Sequence, residues 1–132
     1  MDQFIPIVGT IALLGSALVG GIFFAFSSFV MKALARVPSA EGIGAMQSIN
    51  VVVLNPSFLA AFIGTALVSL AAGGFALAGW GRPFAAFFLA GALFYLVGTF
   101  LVTGLRNVPL NDQLAAVSAT DPAASEVWES YV

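Results

Sequence analysis

Five carboxamides stand at the edges of long apolar runs in this chain: Gln47 and Asn50 in Met-Gln-Ser-Ile-Asn, Asn55 before Pro56, and Asn107 and Asn111 in Asn-Val-Pro-Leu-Asn. A carboxamide is neutral and both donates and accepts hydrogen bonds. Polar amides beside hydrocarbon are therefore the chemistry that the sequence offers. With no histidine and no cysteine, it lacks disulfides, thiolates, imidazole bases, haem-ligating histidine and the usual zinc or copper ligands. No metal site and no cofactor are expected.

The elements that must position these amides follow from composition. The chain is 61% hydrophobic and 8% charged, and no charge interrupts Gln3 to Met31, Gly42 to Gly81 or Pro83 to Leu105. A spanning helix needs about 20 apolar residues, so each run holds at least one. The expected fold class is all-α, an integral membrane helical bundle. At 132 residues it forms a single membrane domain over residues 1–132. Four basic residues and a net charge of −2 leave no footprint for nucleic acid.

The first span is expected over residues 4–31, with Pro6 in its opening turn, where the missing amide hydrogen costs nothing. Two rows of small residues lie on it, Ala12, Ser16, Gly20 and Ala17, Gly21, Ala25; they suit close helix packing in lipid and also reflect the abundance of small residues. Ala33-Leu34-Ala35 has the form of a cleavage site, but Asp2 and the length of the apolar run argue against a removed signal peptide. A polar loop follows from Lys32 and Arg36, and Ser39 with Glu41 reads as a helix start.

Proline disfavours helical geometry at the residue before it, so a break is expected at Asn55. It separates a short interfacial helix over residues 40–54 from a second span over 57–79. Ala61, Thr65, Ser69 and Gly73, four apart, form a candidate contact row on that span. Trp80-Gly81-Arg82-Pro83 reads as an interfacial turn, and a third, ring-laden span covers 84–105. Asn111 is expected to cap a short helix, and Asp121-Pro122 to open an amphipathic one, in a helical tail over 112–132. In that tail Val127, Trp128 and Tyr131 share a face.

Basic residues set the expected orientation. Lys32, Arg36 and Arg106 fall on one side of a three-span protein, which places the amino terminus outside and the tail in the cytoplasm. The expected location is a cell inner membrane, multi-pass.

Three stretches carry a resemblance: Ala-Met-Gln-Ser-Ile-Asn-Val-Val-Val-Leu-Asn-Pro-Ser-Phe (45–58), Gly-Ile-Phe-Phe-Ala-Phe-Ser-Ser-Phe-Val-Met-Lys-Ala-Leu (21–34) and Asn-Val-Pro-Leu-Asn-Asp-Gln-Leu-Ala (107–115). Together they resemble the DUF1772 or anthrone oxygenase-like family of small membrane proteins. The resemblance spans nearly the whole chain. It implies four transmembrane helices, the last preceded by a segment with tryptophan, asparagine and arginine. Trp128 and Tyr131 match only the start of that segment, so three spans are expected here: either the sequence is a fragment, or a shortened protein relies on a neighbour or a second copy to cover the exposed face.

The family name comes from fungal members that oxidise an anthrone to an anthraquinone with molecular oxygen and no evident cofactor. Such a reaction needs a substrate that becomes an electron-rich carbanion, and a dry site that stabilises the enolate. Amide donors in a low-dielectric pocket can do this. The resemblance thus implies Asn50 and Asn107 as catalytic residues, and Gln47, Asn55, Asn111 and Trp128 as binding residues, with the indole stacking on a flat polycycle. Asparagines beside prolines are equally ordinary turn formers; Asn55 and Asn111 suit that role best.

Two further classes compete. A small bundle can bind a lipophilic ligand, or act as an accessory or homo-oligomeric subunit beside another membrane partner, its small-residue rows packing on neighbours. A transporter or channel is disfavoured, since the spans hold no ionisable relay. The expected partners are the bilayer, a hydrophobic small molecule, and a second copy or another membrane protein.

Overall fold

The computed structural model describes residues 3–132. Five helices make up its regular structure: α1 (Ile5–Leu34), α2 (Ser39–Val52), α3 (Pro56–Ala78), α4 (Ala85–Ala115) and α5 (Ala124–Tyr131). The regular structure of the described residues is entirely helical, and α1, α3 and α4 are long and apolar enough to cross a bilayer. Phe87 and Phe94 are 80% and 79% exposed. Such outward rings suit contact with hydrocarbon, because lipid tails solvate them as well as a protein core does.

Several boundaries differ from the sequence expectation. α1 continues past residue 31, carrying Lys32 in its last turn, through a π-helical segment at Phe26–Val30. There the Ser27 and Ser28 hydroxyls donate back to the carbonyls of Phe23 and Phe24. Such bonds keep the hydroxyls satisfied within the helix. At α2 the cap position is Pro38, in extended geometry, and Ser39 is already helical with no side-chain capping bond. The Pro38 carbonyl takes the amides of Glu41 and Gly42 at 2.9 and 3.0 Å. The break at Asn55 falls where proline requires it, and α3 opens on Pro56 itself.

The largest difference is in α4. Asn107-Val-Pro-Leu-Asn does not end the helix and Asn111 does not cap one; the helix runs on to Ala115. Two π-helical segments, Phe94–Leu101 and Thr103–Asn107, precede Pro109, which sits in the first turn of the restored α-helical stretch Val108–Ala115. A π-turn inserts an extra residue and shifts the hydrogen-bond register. Inside a continuous helix a proline removes one N–H bond and its ring crowds a preceding carbonyl; a local π-helical adjustment accommodates it. The tail then leaves the helix over residues 116–123. Asp121 Oδ1 accepts the Ala123 amide at 2.9 Å, a local turn that delivers the chain into α5.

The helices contribute to two compact units. The first comprises Met1–Gly21 and Pro56–Thr103. Here Gly15 meets Thr65 so closely that an added Cβ would stand 2.2 Å from the Thr65 Oγ1. On α3, Thr65 and Ser69 are buried, and a Cβ on Gly73 would touch that of Ala92 at 3.4 Å, so the four-residue row is a packing face. On α1 the contact runs through Gly9, Gly15 and Val19. A Cβ on Gly20 or Gly21 would meet nothing within 4 Å. The Tyr95 hydroxyl donates to the Phe62 carbonyl at 2.8 Å, and the Phe62 ring stacks with Phe58 and Phe100 at 5.7 and 5.3 Å.

The second unit comprises Ile22–Asn55 and Gly104–Val132. Its core is Ile43, Met46, Leu114, Ala124 and Trp128. Ile43, Met46 and Ile49 recur at helical spacing and lay one face of α2 against the end of α4 and against α5.

Candidate functional site

In the second unit the polar flank of α2 brings the amides to a tyrosine. Gln47 and Asn50 are three residues apart and so project from one side of α2. The Gln47 Nε2 donates to two carbonyls, Leu114 at 2.8 Å and Val117 at 2.9 Å. The last carbonyls of a helix lack intrahelical partners; Gln47 supplies one where α4 ends.

One turn further along α2, the Asn50 Nδ2 lies 3.5 Å from the Tyr131 hydroxyl, a long hydrogen bond. That hydroxyl donates to Asn111 Oδ1 at 2.5 Å. Two amides from different helices thus share one phenol oxygen. Burial pushes the Tyr131 hydroxyl above its ordinary pKa, and the Asn50 hydrogen bond pulls weakly the other way. The phenol is neutral near pH 7, a hydrogen-bond donor and not a base.

Trp128 stacks on Tyr131 with ring centroids 5.8 Å apart and planes 12° from parallel. It is 3% exposed. A Cβ on Gly42 would lie 2.7 Å from the indole Cζ2, so glycine leaves the space into which the indole edge fits. The indole is thus covered by the protein's own core, and its structural part is to hold Tyr131 in place. Asn107 is half-buried at the end of the π-helical segment, with no capping bond. It stands one turn, about 6 Å, before Asn111 on α4. Asn55 is exposed in the turn after α2, where its Nδ2 donates to the Val52 carbonyl at 3.0 Å.

The structure therefore gathers Asn50, Asn111 and Trp128 around Tyr131, keeps Gln47 one turn away on α2 and Asn107 one turn away on α4, and leaves Asn55 in a turn. Tyr131 is the member that sequence reasoning did not single out, although its place three residues after Trp128 put it on the same face. Glu41 and Asp112, the nearest acids in sequence, are exposed. Among the described residues no group of three or more His, Cys, Asp or Glu is placed to hold a metal ion. The cluster offers neutral hydrogen-bond donors and acceptors, which can solvate a developing oxyanion but do not by themselves take up a proton.

The first unit holds a cavity of about 330 Å³ between α1, α3 and α4. Its lining is mostly apolar and aromatic, and includes Ser16, Ser69, Tyr95 and Thr99. It contains none of the amide residues.

No curated protein and no solved structure matches the chain. A family model described as anthrone oxygenase matches residues 55–131, more than half of the chain. The match takes in α3, α4 and α5, and with them Asn107, Asn111, Trp128 and Tyr131. With three helices long and apolar enough to span a bilayer, the chain is a membrane protein that belongs to the anthrone oxygenase (DUF1772-type) family.

Proposed function

We propose that this protein is a cofactor-independent oxygenase acting on a hydrophobic polycyclic or quinol-like substrate at the amide cluster of the second unit. The observation that carries the reading is the meeting of Asn50 and Asn111 on the Tyr131 hydroxyl, within a family whose model is described as anthrone oxygenase.

For an anthrone-type substrate the steps balance without a further reductant. The ring methylene gives one proton to water, and its electron pair delocalises onto the ring oxygen as an enolate. The carbanion carbon then transfers electrons to dioxygen and bonds to it, and protonation gives a hydroperoxide. Loss of the second hydrogen from that carbon, with cleavage of the O–O bond, leaves a carbonyl and releases water. One oxygen atom stays in the product. The substrate is oxidised and dioxygen is reduced.

Donors aimed at the enolate oxygen favour the first step, and one such donor is worth about 10²–10³ in kcat. Asn50 and Asn107 take that role here, since the Asn50 bond to Tyr131 is long and the Asn107 amide makes no capping bond. Asn111 and Tyr131 position the site, Gln47 fixes the end of α4, and Trp128 supports the tyrosine. Oxygen uptake with anthrone-like and quinol-like substrates tests the reading, comparing native protein with Asn50→Ala and Asn107→Ala at matched folding. Uptake above autoxidation that both substitutions lower supports it. Uptake equal to autoxidation in the well-folded native protein overturns it.

The cavity of the first unit favours a second reading, a non-catalytic protein that holds a lipophilic ligand or serves as an accessory or oligomeric subunit. Both readings share one membrane placement: a multi-pass inner-membrane protein, amino terminus outside, with Lys32, Arg36, Arg106 and the tail in the cytoplasm. The native chain lacks cysteine, so single-cysteine variants at Arg82 and Ser118 report this directly. Labelling from outside at position 82 alone fits the proposal, and labelling at 118 alone reverses it.

A further inference from the structure

We propose that α2 enters the bilayer obliquely by its carboxyl end, with Glu41 in water and Val51, Val52 and Leu54 in the acyl layer. The partner of this surface is lipid hydrocarbon. The inference goes beyond the proposed function and does not depend on any chemistry at the amide cluster.

One face of α2 is already occupied. Ile43, Met46 and Ile49 lie in or against the core of the second unit, so the opposite stripe decides what the helix meets outside. Glu41, Ala45, Ser48 and Val52 follow one another at helical spacing, and all are exposed. The stripe changes character along the axis, from a carboxylate through a methyl group and a hydroxyl to aliphatic side chains. At its end Val51 is 74% exposed, Val52 66% and Leu54 63%. A helix lying flat on a membrane carries apolar residues along the whole of one side. Here they are collected at one end, as entry into hydrocarbon by that end requires.

Length and charge agree. The 14 residues of α2 extend about 21 Å, short of the roughly 30 Å of a hydrocarbon core, and a segment of this length beside a bilayer is interfacial or re-entrant. No charged residue follows Glu41 until Arg82. Val52 is at most about 14 Å of extended chain from Pro56, where the span α3 begins. The apolar surface therefore continues without a charge from a span into the end of α2.

The backbone is also built for lipid, where polar groups must be satisfied within the protein although the last carbonyls of a helix lack helical partners. The Ile49 carbonyl accepts the Val53 amide at 2.9 Å and the Val51 carbonyl the Leu54 amide at 3.3 Å. The Val52 carbonyl takes the Asn55 Nδ2 at 3.0 Å, and Pro56 has no N–H to satisfy. The connection from α3 to α4 is made differently: Trp80 and Arg82 suit the headgroup region. Asn50, directly before Val51, then lies at the boundary between headgroups and acyl chains.

The native chain lacks cysteine, so depth is read directly from nitroxides on Glu41→Cys, Ala45→Cys, Ser48→Cys and Val52→Cys, each in the full chain in vesicles of phosphatidylcholine and phosphatidylglycerol. Electron paramagnetic resonance reports collisions with oxygen, which concentrates in hydrocarbon, and with a water-soluble nickel chelate. Leu67→Cys, exposed in mid-α3, supplies the hydrocarbon reference. The oxygen-to-nickel ratio is expected to be water-like at position 41, to rise through 45 and 48, and at 52 to stand several-fold above 41, towards the value at 67. A ratio as low at 52 as at 41 overturns the proposal. Equal, high ratios at all four positions overturn it as well, since α2 then lies flat. Few collisions with either reagent at 52 overturn it in favour of a protein partner, and spin–spin broadening would identify that partner as a second copy. If Val52→Cys does not fold, Val51→Cys and Leu54→Cys report on the same end.

Discussion

The Tyr131 hydroxyl donates to Asn111 Oδ1 at 2.5 Å, and this bond ties α5 to the last turns of α4. The same oxygen is approached by Asn50 from α2, so one hydroxyl links three helices. Removing it strands two amides in a half-buried place, and a polar group left unsatisfied costs about 1–3 kcal/mol. Tyr131→Phe is therefore expected to lower the stability of the purified protein by that order, read as a lower thermal midpoint in mild detergent. The stacked ring remains, so helix content by circular dichroism stays native. An unchanged midpoint would show that the amides find other partners.

The same residue sets a pH dependence. Burial holds the Tyr131 proton more tightly in the folded protein than in the unfolded one, where the phenol titrates near 10.0. Above the unfolded value the folded state binds more protons, so stability falls as pH rises. The contribution is fully present below that value and is lost as pH climbs through the raised one. Unfolding measured between about pH 8 and 11 should show a steeper alkaline decline in native protein than in Tyr131→Phe. Parallel curves would remove Tyr131 as the cause.

Legibility in the sequence divides along the same physical line. The break at Asn55 is readable because proline acts on the residue directly before it, and the three spans are readable because apolar length is a local property. Pro109 carries the same local signal with the opposite outcome. The π-helical turns before it shift the hydrogen-bond register, and nothing within Asn-Val-Pro-Leu-Asn announces them. The amide cluster was legible as a set of polar residues beside hydrocarbon, but its centre was not. That Tyr131 accepts from Asn50 and donates to Asn111, and that Trp128 is buried against Gly42, depends on how α2, α4 and α5 pack. Residues distant in sequence decide it.

Gly42 gives that packing a direct test. A methyl group there would stand 2.7 Å from the Trp128 Cζ2 and 3.1 Å from the Leu34 carbonyl oxygen. The backbone oxygen has little freedom to move, so the indole must shift, and overpacking of this kind costs about 1–3 kcal/mol. Gly42→Ala is expected to expose Trp128 and disturb the tyrosine stacked on it. In a Trp80→Phe background, which removes the other indole, the emission should move to longer wavelength and become more accessible to iodide. A native emission maximum would mean that the helices yield instead of the ring.

Small residues on α1 divide into contacts and bystanders, and glycine substitutions separate them. A Cβ on Gly15 would stand 2.2 Å from the Thr65 Oγ1, and 3.1 Å from its Cβ and Cγ2, so no rotation of the threonine relieves the whole overlap. Gly15→Ala must push α1 from α3 within the first unit, at about 1–3 kcal/mol. A Cβ on Gly20 would meet nothing within 4 Å, and alanine there gains helix propensity of up to about 1 kcal/mol. Unfolding in mixed micelles should therefore move in opposite directions for Gly15→Ala and Gly20→Ala, although both make the same chemical change on the same helix. The double variant Gly15→Ala with Thr65→Ser should recover part of the loss, because Thr65 Cγ2 is one of the atoms in the way. Destabilisation by Gly20→Ala matching that of Gly15→Ala would instead place a second copy of the chain against the exposed small-residue row, the homo-oligomeric arrangement, and the mass of the detergent-solubilised protein would then show it.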